Sequence, residues 1–262
     1  MKIIVITQKD YFFIPTNIDL IAREFNESSV RLIIEIDSKG SIHNKKSLFI
    51  RGFGLSQTKR YASKVFKRIL FGKFDDILFN NKFFKGLFSI ELIAKKHKIQ
   101  YVRTNNIHSK KIISLIEDIV PDIIVSYSAP VVFKDKLLSI PRLGCINLHC
   151  SMLPKYSGLF PSFWTLYNQE SATGATVHLM DNKIDNGKII IQQKIPISNN
   201  DTIFSLLTRT KLTGGNLMVK ALKMFKANEI TYQENEVDEE YYFTWPTLLQ
   251  IQEFRKNGGK LV

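Results

Sequence analysis

The chain has 262 residues, with 37 Lys and Arg against 24 Asp and Glu, and a formal net charge of +13. Its hydrophobic content of 44% excludes a wholly disordered chain, and its length suits one large domain or a catalytic domain with a small appendage. Two cysteines, Cys145 and Cys150, exclude a disulfide framework and a four-cysteine zinc site, so we expect a reducing, cytoplasmic setting and no metal. No apolar run reaches the roughly 18 residues of a membrane span and no targeting segment is recognisable, which predicts a soluble protein.

The positive charge is concentrated between Lys39 and Lys111, where 18 Lys and Arg stand against three acids for a net charge of +15. Such a segment favours an anionic partner: a nucleic acid, a phosphorylated small molecule or a membrane surface. Phenylalanines are interleaved with lysines over 64–73 and 81–88, a pattern typical of a membrane-surface helix or a single-strand nucleic-acid platform. Two helices with buried phenylalanines and solvated lysines would give the same pattern, and this simpler interpretation is preferred.

In chain order, the hydrophobic pattern predicts strands that alternate with helices. The predicted elements are a strand at 2–7, a helix at 15–25, a strand at 30–36, an irregular basic stretch with some helix at 38–85, a helix at 87–98, a strand at 100–103, a helix at 110–119, strands at 122–127 and 145–149, a helix at 161–169, strands at 174–180 and 188–197, and a helix at 201–225. The alternation indicates an α/β fold, a Rossmann-like and mainly parallel sheet flanked by helices. After Ala227 the composition turns acidic and then aromatic over 241–246. We therefore expect a catalytic domain over 1–198 and an extension over 199–262 that consists of a helix and an aromatic tail.

The loop that follows the first predicted strand, residues 8–13, contains no glycine. A dinucleotide-binding fingerprint and a Walker A loop both need glycines there, because the backbone must approach the phosphates closely. The sequence therefore argues against a Rossmann-type dehydrogenase and a P-loop ATPase.

Two polar residues, Asn147 and His149, lie two positions apart on a predicted strand, so their side chains lie on the same face. An amide and an imidazole at the C-terminal end of such a strand are typical of a ligand site in α/β proteins. Two buried polar groups satisfied by a neighbouring loop would give the same triplet, and for the triplet alone this interpretation is preferred.

Two later segments favour catalysis. A strand brings His178, and the turn over 181–187 brings Asp185. An amide, an imidazole and a carboxylate suit acyl transfer to an amine: Asn147 and a protonated His149 would stabilise the oxyanion, and Asp185 would keep the imidazole charged or relay the proton of the amine.

Three ordered motifs extend this pattern from about residue 121 to residue 197: Asn147-Leu-His149-x-Ser151-x-Leu153-Pro154-Lys-Tyr-x-Gly158-x-x-Pro161, Thr173-Gly-Ala-Thr-Val-His178 and Asp185-x-Gly187. Together they resemble the folate-dependent formyltransferase family. That family includes glycinamide ribonucleotide, methionyl-tRNA and nucleotide-amino-sugar N-formyltransferases, and formyltetrahydrofolate hydrolases. The resemblance implies the formyltransferase fold.

The resemblance also implies roles for individual residues. Asn147, His149 and Asp185 match the catalytic trio of the family, and His178 and Ser151 match supporting positions. The formyl donor would be 10-formyltetrahydrofolate, with its pterin between two backbone segments. The first of these segments comprises Pro130, Val131, Val132 and Phe133, and the second comprises Asp181, Asn182, Lys183 and Ile184.

For the acceptor, the resemblance favours a nucleotide-linked amino-deoxysugar, with dTDP as the expected nucleotide, as in lipopolysaccharide O-antigen biosynthesis. The tRNA enzymes carry a C-terminal barrel where this sequence has a helix and a tail, and the glycinamide ribonucleotide enzymes lack the basic segment. The diphosphate would account for part of the positive charge. The base would stack on Trp245, Tyr242 or Phe243, although packing or a dimer interface is preferred for these rings. A homodimer is the common state of the family.

Other functions stay open at this point. Glycinamide ribonucleotide and methionyl-tRNA remain alternative acceptors, and the same trio would also direct water at the formyl group, as in a formyltetrahydrofolate hydrolase. A degenerate fold that binds nucleic acid or a membrane through residues 39–111 is the non-enzymatic alternative. The complete trio argues against degeneration.

Overall fold

The computed structural model describes residues 1–25, 29–37, 42–79 and 88–262, and of residues 42–46, 75, 76, 78 and 79 it describes the backbone only. The strands of the described residues, in chain order, are β1 (Ile3–Gln8), β2 (Val30–Ile36), β3 (Gln100–Thr104), β4 (Ile123–Tyr127), β5 (Cys145–His149), β6 (Ser157–Gly158), β7 (Ala172–Leu179), β8 (Ile189–Pro196) and β9 (Tyr242–Phe243).

Seven of these strands form one sheet in the order β3-β2-β1-β4-β5-β7-β8. The first five in that order run parallel, β7 pairs antiparallel with β5, and β8 pairs antiparallel with β7. Strands β1 and β4 are continuous apolar runs because helices cover both faces of the sheet. The mainly parallel α/β fold predicted from the sequence is therefore confirmed.

The helices are α1 (Ile14–Glu24), α2 (Ile42–Phe53), α3 (Leu55–Phe79), α4 (Ile90–Lys96), α5 (Lys110–Ile119), α6 (Asp135–Leu138), α7 (Pro161–Tyr167), α8 (Ile203–Ala227) and α9 (Leu248–Lys256), with a 3-10 turn at Glu239–Tyr241. Four of them begin at a hydroxyl that accepts a backbone N–H of the first turn: Ser89, Ser109, Thr202 and Thr247. Within the described ranges, no helix is both long and apolar enough to cross a membrane.

The expectation of an irregular stretch over 38–85 was wrong where the structure describes it, because 42–53 and 55–79 are two long helices. The glycines of this stretch interrupt the helices less often than expected. Gly54 separates the two helices with φ +83°, a conformation that favours glycine, whereas Gly72 lies inside α3, where an added Cβ would lie 2.7 Å from Cβ of Phe88. Leu87, the predicted start of the next helix, and residues 80–86 lie outside the described residues.

The hydrophobic core lies on both faces of the sheet. Alternate residues of β1 point to opposite sides, with Ile3 and Val5 in one cluster and Ile4 and Ile6 in the other. Helices α1, α4 and α8 cover the first face, and α5 and α6 cover the second. Helix α8 thus contributes to the main core, although it lies beyond residue 198.

The segment after α8 contains more structure than the sequence indicated. Strand β9 pairs with β6, which follows the loop over residues 150–156, and α9 packs against α2. A third apolar cluster joins this segment to the rest: Phe53, Tyr156, Phe163, Trp164, Ile203, Ile251, Phe254 and Leu261. The predicted tail is therefore packed against the catalytic half of the chain.

Candidate active site

Two neighbouring strands position three of the predicted residues. Asn147 and His149 leave β5 on the same face, and the antiparallel register of β5 with β7 sets His178 opposite Asn147. Asn147 also lies beside Ser126 at the end of β4, where ligands bind in parallel sheets. The strand pattern therefore brings an amide and two imidazoles to one edge of the sheet.

Asp185 connects these side chains. Its carboxylate lies 3.2 Å from Nδ1 of His149, 3.5 Å from Nδ2 of Asn147 and 3.5 Å from Nε2 of His178. The backbone N–H of Gly158 donates to the same carboxylate at 2.9 Å. Asp185 has φ +51°, a conformation that Asp adopts more readily than most residues. The structure thus brings together the trio predicted from the sequence, with His178 as a fourth member.

The site holds a buried negative charge. Burial by itself would raise the pKa of Asp185, but the charge of His149, the hydrogen bond from His178 and the backbone N–H of Gly158 outweigh it, so this pKa lies well below its usual range. Burial lowers the pKa of His149, and Asp185 and the carbonyl of Tyr156 offset this in part. Asp185 is therefore ionised near pH 7, and for His149 its carboxylate opposes the burial that disfavours a charged ring.

Both ring nitrogens of His149 face acceptors. Nε2 donates to the carbonyl of Tyr156 at 2.7 Å, and Nδ1 faces Asp185. Nε2 therefore carries a proton, and a second proton on Nδ1 lets the ring donate to the carboxylate as well. Both ring nitrogens thus face acceptors of the protein itself, and the expected contact of a protonated His149 with an oxyanion stays a prediction.

Ser151 lies behind the site. Its side chain is buried, and Oγ donates to the carbonyl of Lys155 at 2.7 Å and to that of Tyr156 at 3.3 Å. Its own carbonyl accepts from Oγ1 of Thr176 at 2.7 Å. Ser151 thus shapes the turn that presents Tyr156 to His149, and it does not line the cavity described next.

A cavity of about 910 Å³ opens over the trio. The two segments expected to hold the pterin lie along it, the first with all four of its residues: Pro130, Val131, Val132 and Phe133. From the second segment, Asp181, Lys183 and Ile184 line the cavity, whereas Asn182 is exposed and does not. Asp181 folds this turn by accepting the N–H of Lys183 at 2.8 Å, and of residues 181–184 the turn leaves Asn182 out of the lining.

Sequence reasoning missed several cavity-lining residues outside the two expected pterin segments. Tyr61 comes from α3, and Phe204 and Lys211 come from one face of α8. Nζ of Lys211 donates to Oγ of Ser128 at 2.6 Å, although this lysine is only 8% exposed. The sequence did contain a signal for Lys211, because this lysine stands among the apolar positions of a core helix. Phe204 gave no signal distinct from a core residue.

The aromatic tail over 241–246 also contributes to the cavity lining. Trp245 lines the cavity and stacks on Phe160, with ring centroids 4.7 Å apart. Phe243 instead packs between Tyr156 and Trp164, and Tyr242 does not line the cavity. Of the three rings considered for base stacking, Trp245 alone is in position.

The described cations of the basic segment do not line the cavity. Between Lys39 and Lys111, the described residues that line it include Tyr61 and Asn105 but none of the described Lys or Arg side chains. In the described part of the chain, the cationic residues of the lining are Lys183 and Lys211. The charge of the described Lys and Arg of this segment therefore lies outside the candidate active site.

Asp10 occupies the N-terminus of α1, next to the end of β1. One carboxylate oxygen accepts the backbone N–H groups of Phe12, Phe13 and Ile14 at 2.8, 2.6 and 3.0 Å. A helix N-terminus after the first strand is a common phosphate site in α/β proteins. Here a side chain of the protein already occupies the place of the anion.

Asn235, beyond α8, supports the catalytic turn from behind. Its side-chain amide donates to the carbonyls of Asp185 and Gly187 at 2.8 and 3.1 Å. In the described part of the chain, no three His, Cys, Asp or Glu residues converge as metal ligands.

Comparison with known proteins agrees with this geometry. The family model described as formyl transferase matches residues 73–222, more than half of the chain. The bifunctional polymyxin resistance protein ArnA of Wigglesworthia glossinidia brevipalpis is 39% identical over 150 residues, which are 57% of this chain and 22% of ArnA. The methionyl-tRNA formyltransferase of Thermotoga maritima is 31% identical over 147 residues, 56% of this chain and 47% of that protein. The chain thus spans half or less of the length of these two curated relatives.

Solved structures share the fold. The sugar 3N-formyl transferase WlaRD, determined in the presence of dTDP and 5-N-formyl-THF, superimposes with a TM-score of 0.62 at 18% identity, covering 97% of this chain and 78% of WlaRD. Phosphoribosylglycinamide formyltransferases have the same fold at a similar TM-score. Since the family model covers more than half of the chain and includes Asn147, His149 and Asp185, the chain belongs to the folate-dependent formyl transferase family.

Proposed function

We propose that this chain is an N-formyltransferase that moves the formyl group of 10-formyltetrahydrofolate to the amine of a nucleotide-linked amino sugar. The observation that carries the proposal is the convergence of an amide, two imidazoles and a backbone N–H on the ionised Asp185 at the base of a large cavity. Family membership supports the folate donor, and residues of both expected segments line the cavity, which is consistent with a pterin between them.

In the proposed reaction, the neutral amine of the acceptor attacks the formyl carbon, and the formyl oxygen becomes an oxyanion. The side-chain amide of Asn147 stabilises this charge. The proton lost by the amine passes to the Asp185–His149 pair, where Nδ1 of His149 and the carboxylate share it. When the bond between the formyl carbon and the donor nitrogen breaks, that nitrogen takes up a proton, so no net proton is gained or lost.

The acceptor proposal rests on cavity-lining residues outside the two expected pterin segments. The carboxylate of Asp10 at the N-terminus of α1 disfavours a phosphate there, which argues against an acceptor held by its phosphate at that loop. Tyr61, Phe160 and Trp245 provide aromatic surface for a base, and Lys211 provides a buried cation for a diphosphate. These features suit a nucleoside diphosphate better than a ribose 5-phosphate.

Calorimetry tests the proposal. The protein is titrated with 5-formyltetrahydrofolate as a stable donor analogue, and then with dTDP, UDP or glycinamide ribonucleotide in its presence. We expect donor binding, followed by binding of dTDP or UDP at least about tenfold tighter than that of glycinamide ribonucleotide. Lys211→Met should weaken the nucleotide step more than the donor step, whereas Lys220→Met, on the exposed face of the same helix, should change neither step.

Other results of these measurements would identify one of the alternative functions. Preference for glycinamide ribonucleotide would contradict the acceptor proposal and leave the formyl transfer intact. Formate release from 10-formyltetrahydrofolate without any amine would indicate a hydrolase. Methionyl-tRNA that becomes formylated faster than any amino sugar would also contradict the proposed acceptor. Absence of donor binding would overturn the formyltransferase activity itself.

A further inference from the structure

The outer face of α3 carries a row of exposed apolar side chains, here called the α3 stripe: Phe66, Leu70, Phe74 and Ile77. Their exposed fractions are 64%, 39%, 48% and 78%. Because the spacings of four, four and three residues place them on one helix face, the stripe runs for about 16 Å. The opposite face of α3 packs inward, where Tyr61 lies against Phe49 and Phe204.

Cations border the α3 stripe. Lys59, Lys67 and Lys73 are exposed on α3. None of the three has an ion pair with the acidic side chains that the structure describes. On the helix wheel Lys67 lies on one edge of the stripe and Lys73 on the other, so an apolar surface is framed by positive charge. The segment from Lys39 to Lys111 has a net charge of +15, so its wider surroundings are also basic.

The candidate active site does not use this charge, since none of the described Lys and Arg of the segment lines the cavity. A second copy of the chain is a poor partner for the stripe, because it would bring the same lysines together. Single-stranded nucleic acid would stack on Phe66 and Phe74 but would leave Leu70 and Ile77 without a partner. An anionic bilayer accommodates all the features, because acyl chains receive the apolar stripe while headgroups pair with the lysines.

We propose that the α3 stripe and its flanking lysines bind the surface of an anionic lipid bilayer. The helix lies in the interface with Phe66, Leu70, Phe74 and Ile77 toward the acyl chains. Tyr61 remains on the opposite face of the same helix, so the cavity stays accessible while the protein is bound. This inference is independent of the proposed acceptor.

Vesicle flotation of the full chain tests the proposal. Vesicles of phosphatidylcholine with an equal amount of phosphatidylglycerol should bind the protein at least about tenfold more tightly than vesicles of phosphatidylcholine alone. Phe66→Ser/Phe74→Ser and Lys67→Glu/Lys73→Glu should each lower this binding at least about tenfold. Leu249→Ser, which changes a 76% exposed leucine on α9, should leave it unchanged. Circular dichroism and binding of 5-formyltetrahydrofolate verify that each variant is folded.

A spectroscopic measurement does not depend on loss of binding. Phe74→Trp should show a blue-shifted emission on anionic vesicles, with quenching by brominated lipids, and Leu249→Trp should not. Three results would overturn the proposal: no binding to anionic vesicles, binding that the stripe variants do not weaken, or a dimer in sedimentation that the stripe variants dissociate. Tighter binding to oligo-dT than to vesicles would assign the surface to nucleic acid instead.

Discussion

Asp185 is the residue on which the candidate active site depends, because side chains from β5 and β7 and the backbone N–H of Gly158 on β6 converge on its carboxylate. Asp185→Asn keeps the shape of the side chain and removes its charge. We expect kcat for formyl transfer to fall by about 100-fold or more, since the proton of the amine loses its acceptor. Tetrahydrofolate release, measured with the amino sugar that calorimetry selects, checks this.

Asp118→Asn is the matched control, because Asp118 is exposed on α5, far along the chain from the trio. Its kcat should equal that of the unchanged protein. Binding of 5-formyltetrahydrofolate should change by less than about threefold in both variants. Near-normal turnover by Asp185→Asn would refute the role given to its carboxylate.

His149 should make stability depend on pH. Since burial holds its folded pKa below the usual value of 6.5, the unfolded chain binds a proton that the folded chain does not. The free energy of unfolding should therefore fall as the pH drops below about 6.5, and Asp185 should add a second fall below about pH 4. Urea unfolding at pH 7.5 and 5.5 measures the first effect.

Between pH 7.5 and 5.5, His149→Gln should lose less stability than the unchanged protein does. Gln233→Ala, a change at an exposed side chain that does not titrate, should keep the original pH dependence. The same slope in all three proteins would mean that the pKa of His149 does not differ between the folded and unfolded states.

At the scale of elements, the two-stranded sheet of β6 and β9 links the catalytic loop to the tail. Gly158 has φ +89°, and an added Cβ would lie 2.3 Å from the carbonyl oxygen of Phe243. Gly158→Ala should therefore separate β6 from β9 and disturb the N–H that donates to Asp185. We expect Gly158→Ala to lower the free energy of unfolding. The loss should exceed, by about 1–3 kcal/mol, the loss from replacing a glycine that has a similar φ but no atoms near the added Cβ.

Gly258 offers that comparison, since it has φ +87° and no atom within 4 Å of an added Cβ. Gly258→Ala carries the backbone strain without the clash, and it should leave kcat unchanged. Urea unfolding and turnover of the two variants measure the difference. Equal losses of stability would show that the approach of β6 to β9 is not tight.

The sequence predicted the elements of the sheet well and the elements of the periphery poorly. Helix 110–119 and strand 145–149 have the predicted bounds, because their apolar periodicity is strong. Helices α2 and α3 were underestimated, because frequent lysines and glycines resemble a loop composition. Helix α9 was missed, because only Ile251 and Phe254 of its nine residues are buried and its apolar pattern is therefore weak. The capping box at Thr247 favours a helix start, but a short helix also needs a packing partner to be stable.

At the scale of the whole molecule, the chain beyond α8 is tied to the catalytic turn through Asn235. Asn235→Ala removes the hydrogen bonds to the carbonyls of Asp185 and Gly187. We expect kcat to fall by about tenfold with little change in KM for the donor, because the turn loses its support while the cavity keeps its lining. Steady-state kinetics with 10-formyltetrahydrofolate separates the two parameters.

Gln233→Ala is the control for this prediction. The backbone of Gln233 bridges to Ile189 and its side chain is exposed, so the substitution keeps the path of the tail. Its kcat should remain normal. A loss in KM alone for Asn235→Ala would mean that Asn235 shapes the donor slot rather than the position of Asp185.

The division into residues 1–198 and 199–262 stays a prediction. Helix α8 covers the sheet with Leu217, Met218 and Leu222, which belong to the main core. We therefore expect residues 1–198 alone not to fold, and the extension to unfold together with the rest.

The α/β class and the mainly parallel sheet followed from the sequence pattern, because strand periodicity is a property of consecutive residues. The choice of Asn147, His149 and Asp185, with His178 beside them, followed from ordered motifs and the family that they resemble. Tertiary contacts were needed to show that the N–H of Gly158 donates to Asp185, that Lys211 and Asp10 line the cavity, and that the lysines of α3 do not. Those relations connect residues far apart in the chain, and they depend on strand order, helix orientation and the burial that sets each pKa, none of which a linear pattern contains.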